Sequence, residues 1–224
     1  MLGLVLLLNL GVAFASGRVV EDASGIAALY ETRQIQLSIR PTLAKQQWRF
    51  WRTGNHVEKS IPSIGRSEVW EKRGDEISFS HHFIDLERAV DYTSGDLKAL
   101  GQYPDWDEVA HIISPSMLEK LVKVSTRRVF GYDAVVYSGQ FNATDVEIVW
   151  IDELKLPALI REVHQGQEFS VHLLEIYPAR KAPWSRPVTS YFKRLDYADL
   201  GDNEADPVWG RLAHQSHNQH NQSH

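Results

Sequence analysis

The stretch YDAVVYSGQFNATDVEIVWIDELKLPALIREV, residues 132–163, decides the fold that this sequence predicts. Within it, the apolar residues Val146, Ile148 and Trp150 recur at every second position. A period of two places such side chains on one face of a β-strand. The turn-forming letters NAT, residues 142–144, separate two runs of this kind. The stretch therefore predicts short strands that follow one another through tight turns.

The same period continues on both sides of this stretch. From residue 123 onward the chain reads as five or six strands, and residues 46–83 read as hairpin strands with a turn at Arg73-Gly74-Asp75. Evenly spaced strands joined by tight turns are typical of an antiparallel meander. The bulk of the chain is therefore expected to form one antiparallel sheet.

Two segments depart from the strand pattern. Small and apolar residues at roughly helical spacing predict a helix over 23–36. Residues 84–122 break the alternation, and their part DWDEVAHIISPSMLEKLVK has a helical pattern that begins at an aspartate cap. Pro115 is expected to split this part into two short helices. The segment 84–122 therefore has the character of an insertion that could act as a lid.

Composition narrows the classes of function. The chain has 224 residues, a formal net charge of −5 and no cysteine. Thiol catalysis, cysteine-ligated zinc and iron–sulfur clusters all need cysteine, so they are excluded. An acidic chain without a basic face is a poor ligand for phosphate backbones, and we expect no nucleic-acid partner.

The two ends of the chain differ from the rest. The apolar start MLGLVLLLNLGVAFASG ends in Ala13-Phe14-Ala15, a small-x-small cleavage pattern, and predicts a cleaved signal peptide over 1–15. A single domain is expected over 16–207, followed by a disordered, histidine-rich tail over 208–224. A signal peptide on a chain without cysteine fits a bacterial periplasm best.

A catalytic signature is missing from the sequence. It contains no G-x-S-x-G, S-x-x-K or H-E-x-x-H pattern, and the acidic run 196–207 lacks the spaced ligands of a calcium loop. We expect a protein that is not an enzyme and that needs no cofactor. A hydrolase with an unrecognised site is retained as a third hypothesis.

The tail offers an alternative function. Its histidines are spaced by three and four residues, which on a helix would bring them to one face: His214, His217, His220 and His224. Imidazole binds zinc, copper and nickel, so a periplasmic metal-binding accessory protein is the second hypothesis. The neighbouring Gln, Asn and Ser residues provide no second shell, which favours a solvated tail instead.

Aromatic residues are frequent in the predicted strands. Each could be a core residue, but a sheet with only a few short helices has limited means of covering both faces. An apolar cavity left open could take an apolar ligand. The candidate lining residues, taken as a group, are Trp48, Phe50, Trp70, Phe79, Phe83, Trp150, Leu159 and Phe169.

One phrase in the opening stretch resembles a known family. Val149-Trp150-Ile151-Asp152 is followed by Leu156-Pro157 and Leu159-Ile160, and this order is similar to the centre of the LolA/LolB/RseB-like superfamily. The resemblance implies an α+β fold: a strongly curved antiparallel sheet, an unclosed β-barrel, with a few short helices covering the concave face. In carrier members of that group, the hydrophobic cavity holds the acyl chains of lipoproteins.

The resemblance also implies a function. It favours a periplasmic, non-enzymatic carrier or binding protein whose ligand is a lipid, a lipoprotein acyl chain or another apolar molecule. Membrane-associated donor or acceptor proteins would be its partners, and we expect a monomer. The carriers use an arginine to hold their lid, and Arg49 and Arg52 are the candidates by position in an early strand. No cysteine follows the signal, unlike in the membrane-anchored acceptor of the family.

Overall fold

Most of the chain forms one large sheet. The computed structural model describes residues 25–36, 42–141, 143–203 and 206–209. The predicted signal peptide and the tail histidines lie outside these ranges. The strands of the sheet are β1 (Ile26–Gln36), β2 (Thr42–Thr53), β3 (His56–Ile61), β4 (Arg66–Arg73), β5 (Glu76–Phe83), β6 (Arg88–Tyr92), β7 (Val122–Val129), β8 (Tyr132–Phe141), β9 (Thr144–Ile151), β10 (Leu156–His164), β11 (Gln167–Pro178) and β12 (Lys193–Asp196).

The sheet is open and almost entirely antiparallel. Its order is β12-β6-β5-β4-β3-β2-β1-β11-β10-β9-β8-β7, so its two edge strands, β12 and β7, do not pair with each other. The predicted antiparallel meander is confirmed for its consecutive hairpins. Two departures occur: β1 joins the halves by pairing with both β2 and β11, and β12 pairs parallel to β6.

The helix predicted over 23–36 is wrong, because residues 26–36 of this segment form the central strand β1. Its first five residues, Ile26 to Tyr30, are nearly all buried, and both faces of the strand contribute to the core. A strand covered on both faces loses the alternation of apolar and polar residues that marks a strand in sequence. The small residues Ala27 and Ala28 strengthened the helical interpretation, but tertiary pairing overrides helix propensity.

Tight turns connect the hairpins where the sequence places turn formers. Gly54 and Gly74 have positive φ angles of 54° and 62° in the turns after β2 and β4. In the turn between β10 and β11, Gln165 and Gly166 have φ angles of 45° and 78°. Two consecutive positive φ angles give a turn whose twist matches that of a hairpin.

Three short α-helices lie between β6 and β7: α1 (Ser94–Ala99), α2 (Trp106–His111) and α3 (Pro115–Leu118). Thr93 and Asp96 cap α1 reciprocally, and the Asp105 side chain accepts a hydrogen bond from the backbone N–H of Asp107 at the start of α2. Pro115 begins α3, so the predicted division of this segment is confirmed. None of the helices in the described ranges has the length and apolar character needed to cross a membrane.

The two faces of the sheet differ in chemistry. The aromatic face carries Tyr30, Trp48, Phe50, Trp70 and Phe79. Tyr30 lies opposite Trp48 and Trp70 lies opposite Phe79 on neighbouring strands, and Trp48 and Phe50 share one face of β2. The large core cluster packs on this face with α2 and α3, and a smaller cluster packs around Leu97 of α1. The other face, called the polar face below, carries Glu58, Ser67, Ser80, His82 and Asp91 across β3–β6.

The described chain ends in the smaller cluster. Val208 and Trp209 pack there, and Trp209 is buried beside the guanidinium of Arg88. These two residues fall within the segment that the sequence predicts to be a tail, and in the structure they contribute to the domain.

Candidate functional site

An apolar cleft of about 740 Å³ opens on the aromatic face. Strands of the sheet form one side of it, and residues 104–120, which include α2 and α3, form the other. Its lining comprises Thr32, Trp48, Phe50, Val57, Lys59, Glu68, Trp70, Pro104, Glu108, Val109, Ile112, Ile113, Ser114, Ser116, Met117, Lys120, Phe141, Ile160, Glu162, Phe169 and Val171. The volume lies within the range of small-molecule sites, which is about 300–1,000 Å³.

The structure brings four of the eight aromatic and aliphatic candidates together in this cleft. Trp48, Phe50, Trp70 and Phe169 line it. Phe169 is 41% exposed, so an apolar surface remains open to solvent at the cleft mouth. The sequence selects these four as aromatic residues that fall in predicted strands.

The other four candidates lie elsewhere. Trp150 shares the aromatic face but is buried in the core, with its ring 6.4 Å from that of His111 in α2. Phe79 and Phe83 belong to the smaller cluster. Leu159 does not line the cleft, because its neighbour Ile160 does and successive side chains of a strand point to opposite faces.

Ring stacking holds the floor of the cleft in place. Tyr30 stacks on Trp48 with ring centroids 4.6 Å apart, and it meets Phe50 edge to face at 6.4 Å. The Trp48 Nε1–H donates to Thr32 Oγ1 at 3.0 Å, and the Tyr30 hydroxyl donates to the carbonyl oxygen of Pro157 at 3.0 Å. Burial raises the pKa of Tyr30 far above its usual value, so this hydroxyl remains a donor. The floor is therefore a satisfied, preformed surface.

Charged side chains stand around the apolar floor. Lys59 and Glu68 are directly opposed on β3 and β4, and the Lys59 ammonium lies 4.9 Å from the ring centroid of Trp48. On another side, the Lys120 ammonium lies 5.1 Å from the ring of Phe141. Lysine stems can cover apolar surface while their charges remain in water. The cleft thus combines an apolar interior with charged groups of both signs.

Arg52 connects the sheet to the helix side of the cleft. This buried residue donates from Nη1 to the carbonyl oxygen of Ala110 in α2 at 2.9 Å and from Nη2 to that of Leu154 at 2.8 Å. Arg49 points to the other side of the sheet, where its guanidinium lies 5.6 Å from the Trp184 ring. Of the two arginines selected by position, only Arg52 contacts the helical segment.

The end of α2 is strained where it borders the cleft. Ile112 follows the helix with a φ of 72°, a left-handed conformation that β-branched residues rarely adopt. Its side chain lines the cleft. Next to it, burial and the charge of Arg52 lower the pKa of His111. The strained residue Ile112 and the hydrogen bond from Arg52 to Ala110 thus both lie where α2 borders the cleft.

Sequence reasoning missed the helical half of the lining. Val109, Ile112 and Met117 face the aromatic residues across the cleft. The sequence predicts a helical segment here that could act as a lid. Which of its residues would meet the sheet depends on how the helices dock, and no local signal in the sequence gives that orientation.

The described residues contain no group of three or more His, Asp or Glu side chains arranged to hold a metal ion. The four tail histidines of the metal-binding hypothesis, His214, His217, His220 and His224, lie outside the described residues. The structure therefore offers that alternative no support.

Comparison with known proteins gives matches at the level of structure alone. No protein-family model matches the sequence, and no curated protein matches it. A structure of PNGF-II matches with 13% identity and a TM-score of 0.39, covering 78% of this chain and 32% of that one. The chain thus spans about a third of the length of PNGF-II.

Two further solved structures match. The complex of Pseudomonas aeruginosa MucA/MucB matches with 16% identity and a TM-score of 0.33, covering 70% of this chain and 53% of that one. A LolA superfamily protein from Nitrosomonas europaea matches with 8% identity and a TM-score of 0.33, covering 78% and 93%. The family that the sequence resembles is thus represented among the matches. Likenesses of this degree carry no argument about function, which has to come from the site.

Proposed function

We propose that this protein is a non-enzymatic carrier or binding protein that holds a lipid, a lipoprotein acyl chain or another long apolar molecule in the aromatic cleft. The observation that carries the proposal is the open cleft itself, with Trp48, Phe50 and Trp70 on one side and Val109, Ile112 and Met117 on the other. An exposed apolar surface of this kind marks a binding site on a domain that otherwise buries its core.

Burial alone would supply the binding energy. Each methylene group removed from water contributes about 0.8 kcal/mol, so an alkyl chain gains affinity with every carbon that enters the cleft. The preformed aromatic floor adds to this, because its side chains lose little freedom when the ligand binds. The charged groups at Lys59, Glu68 and Lys120 would remain near the polar end of the ligand. No covalent step is required.

Uptake and release would depend on α2. Arg52 is our candidate for the residue that keeps the cleft closed, because its hydrogen bond to the Ala110 carbonyl holds α2 against the sheet. Movement of α2 away from the sheet would break this hydrogen bond and widen the cleft. In this proposal the sheet is curved around the ligand, and the short helices cover its concave side.

The cellular setting is part of the same proposal. We infer a periplasmic location from the predicted signal peptide, and an apolar ligand in a periplasm needs a carrier to pass between membranes. Membrane-associated donor and acceptor proteins would deliver and receive it. We expect the carrier to act as a monomer.

Native mass spectrometry with lipid extraction tests the proposal. Protein purified from periplasm without an affinity tag should retain an added mass in the range of a lipid or acyl chain. The double variant Phe169→Glu/Met117→Glu places charges on both sides of the cleft and should lose this mass while remaining folded. The matched control Val124→Glu/Tyr191→Glu changes two exposed apolar residues outside the cleft and should retain it. Equal lipid content in all three folded proteins would refute the proposal.

A further inference from the structure

A second cleft, of about 710 Å³, lies on the polar face of the sheet. Strands β3–β6 form its base, and residues 186–189 together with Arg194 form a wall beside them. Its lining comprises His56, Glu58, Val69, Glu71, Arg73, Ser78, Phe79, Ser80, His82, Asp91, Tyr92, Thr93, Arg186, Pro187, Val188, Thr189 and Arg194. The proposed apolar function makes no use of this cleft.

Each cation in the polar cleft already has a carboxylate partner. Arg186 Nε donates to Glu58 Oε2 at 2.7 Å, and Arg194 Nε donates to Asp91 Oδ2 at 2.7 Å. The third arginine of the lining, Arg73, pairs with Glu71 at 2.9 Å.

Serine hydroxyls extend two of these pairs. Ser67 Oγ donates to Glu58 at 2.9 Å, and Ser80 Oγ donates to Asp91 at 2.6 Å. The three arginines balance the three carboxylates, so the lining has no net charge to offer an ion.

One buried group in this cleft has no partner. His82 is 5% exposed, and neither of its ring nitrogens has a hydrogen-bond partner within the described structure. Burial and the charge of Arg194 lower its pKa, so the imidazole is neutral near pH 7 and presents one donor and one acceptor. Buried polar groups without partners are rare in folded proteins, and each calls for an explanation.

We propose that the polar cleft binds an uncharged saccharide whose hydroxyl groups pair with His82 and with the two ion pairs Arg186–Glu58 and Arg194–Asp91. An anion would have to displace Glu58 or Asp91 from its arginine, and a cation would have to displace an arginine from its carboxylate. A hydroxyl both donates and accepts, so it can join either pair without breaking it, and it can complete a neutral imidazole.

The shape and the walls of the cleft agree with such a ligand. Val69, Pro187 and Val188 provide apolar surface, and Val188 is 68% exposed. The C–H face of a sugar ring can pack on surface of this kind while its hydroxyls point to the polar strands. The volume accommodates one or two sugar rings, within the ordinary range of small-molecule sites.

Saturation-transfer NMR with D-glucose, D-galactose, N-acetyl-D-glucosamine and maltose tests the proposal on the full-length protein. At least one of these sugars should receive saturation, and binding should shift the ring ¹⁵N signals of His82. The variant His82→Leu should lower the affinity for that sugar by about tenfold, because both ring nitrogens are lost. Ser78→Trp, at an exposed position in the cleft, should abolish binding by filling it.

The controls separate this site from the aromatic cleft. Phe169→Glu should leave sugar binding unchanged, and its effect on lipid content tests the other proposal independently. The absence of saturation transfer to all four sugars would overturn the inference. So would sugar binding that survives Ser78→Trp, or binding of inorganic phosphate in place of the sugars. If His82→Leu fails to fold, Ser78→Trp still decides the outcome.

Discussion

Arg52 Nη1 and the carbonyl oxygen of Ala110 are 2.9 Å apart, and this hydrogen bond joins the second strand of the sheet to the helix that borders the aromatic cleft. The two residues are 58 positions apart in the chain. The same guanidinium also reaches the Leu154 carbonyl, so one buried side chain connects β2, α2 and the turn between β9 and β10.

Replacing Arg52 with leucine should loosen α2. Two buried carbonyl groups would lose their donor, and each such loss costs about 1–3 kcal/mol, so we expect the free energy of unfolding to fall by about 2–6 kcal/mol. Hydrogen exchange of the α2 amides should accelerate more than that of the central strands. Urea unfolding and exchange mass spectrometry measure the two effects. Arg49→Leu is the control. An equal effect of both changes would contradict the proposal that Arg52 holds α2 against the sheet.

A brominated fatty acid should quench the cleft tryptophans selectively. Trp48 and Trp70 line the cleft, whereas Trp184 lies on the other side of the sheet near Arg49. Bromine quenches indole fluorescence only at contact range. Titration with dibromostearate should therefore quench the wild type, quench a Trp48→Phe/Trp70→Phe variant much less, and quench Trp184→Phe like the wild type. Quenching that is unaffected by the double change would place the ligand outside the cleft.

The free energy of unfolding should fall as the solution becomes acidic. Burial, with the charges of Arg66 and His82, lowers the pKa of His81 from 6.5 to about 4. Between these two pKa values, the unfolded chain therefore binds more protons than the folded chain. The free energy of unfolding is lost as the pH falls through this range. The contribution of His81 amounts to about 2 kcal/mol between about pH 7 and pH 5.

The variant His81→Phe isolates this contribution. His81 already stacks on Phe83 with ring centroids 4.5 Å apart, so phenylalanine can occupy its place. Chemical denaturation across this pH range should show a shallower pH dependence in the variant. Some dependence will remain, because burial also lowers the pKa values of His56, His82 and His111. Superimposable pH profiles of wild type and variant would show that His81 titrates normally.

Gly25 should tolerate no side chain. Its φ is 85°, and a Cβ added there would lie 2.1 Å from the carbonyl oxygen of Arg52. Gly25→Ala should lower the free energy of unfolding by about 2–4 kcal/mol, from backbone strain and steric overlap together. Gly54 is the matched control, since its φ is 54° and no atom lies within 4 Å of the added Cβ. Gly54→Ala should cost only about 1 kcal/mol in thermal or urea unfolding.

Strand alternation predicted most of the sheet, but it failed at β1. Hairpin strands have one covered face and short turns, so their pattern is local, and the turns at Gly54, Gly74 and Gly166 are visible in the sequence. In β1 both neighbours are other strands and both faces contribute to the core, so the period of two disappears. The parallel pairing of β12 with β6 spans about a hundred residues and has no local signal.

The candidate site was also predicted only in part, because strand alternation is a local signal. The sequence selects Trp48, Phe50 and Trp70 because they fall in predicted strands, and the structure gathers them in one cleft. Trp150 lies on the same face of the sheet, but a helix packs next to it and it is buried. Strand alternation indicates which face a residue occupies. It does not tell which part of that face the helices cover.

The sequence by itself determined the strand-rich fold, the hairpin turns and the helical insertion with its break at Pro115. These follow from side-chain period and backbone conformation, which act over a few residues. Only the tertiary structure decided where α2 and α3 dock, that Arg52 binds the Ala110 carbonyl of α2, and that the polar face assembles the ion pairs around His82. Those relationships join residues about 60 to 130 positions apart, and only the pairing of the whole sheet brings them together.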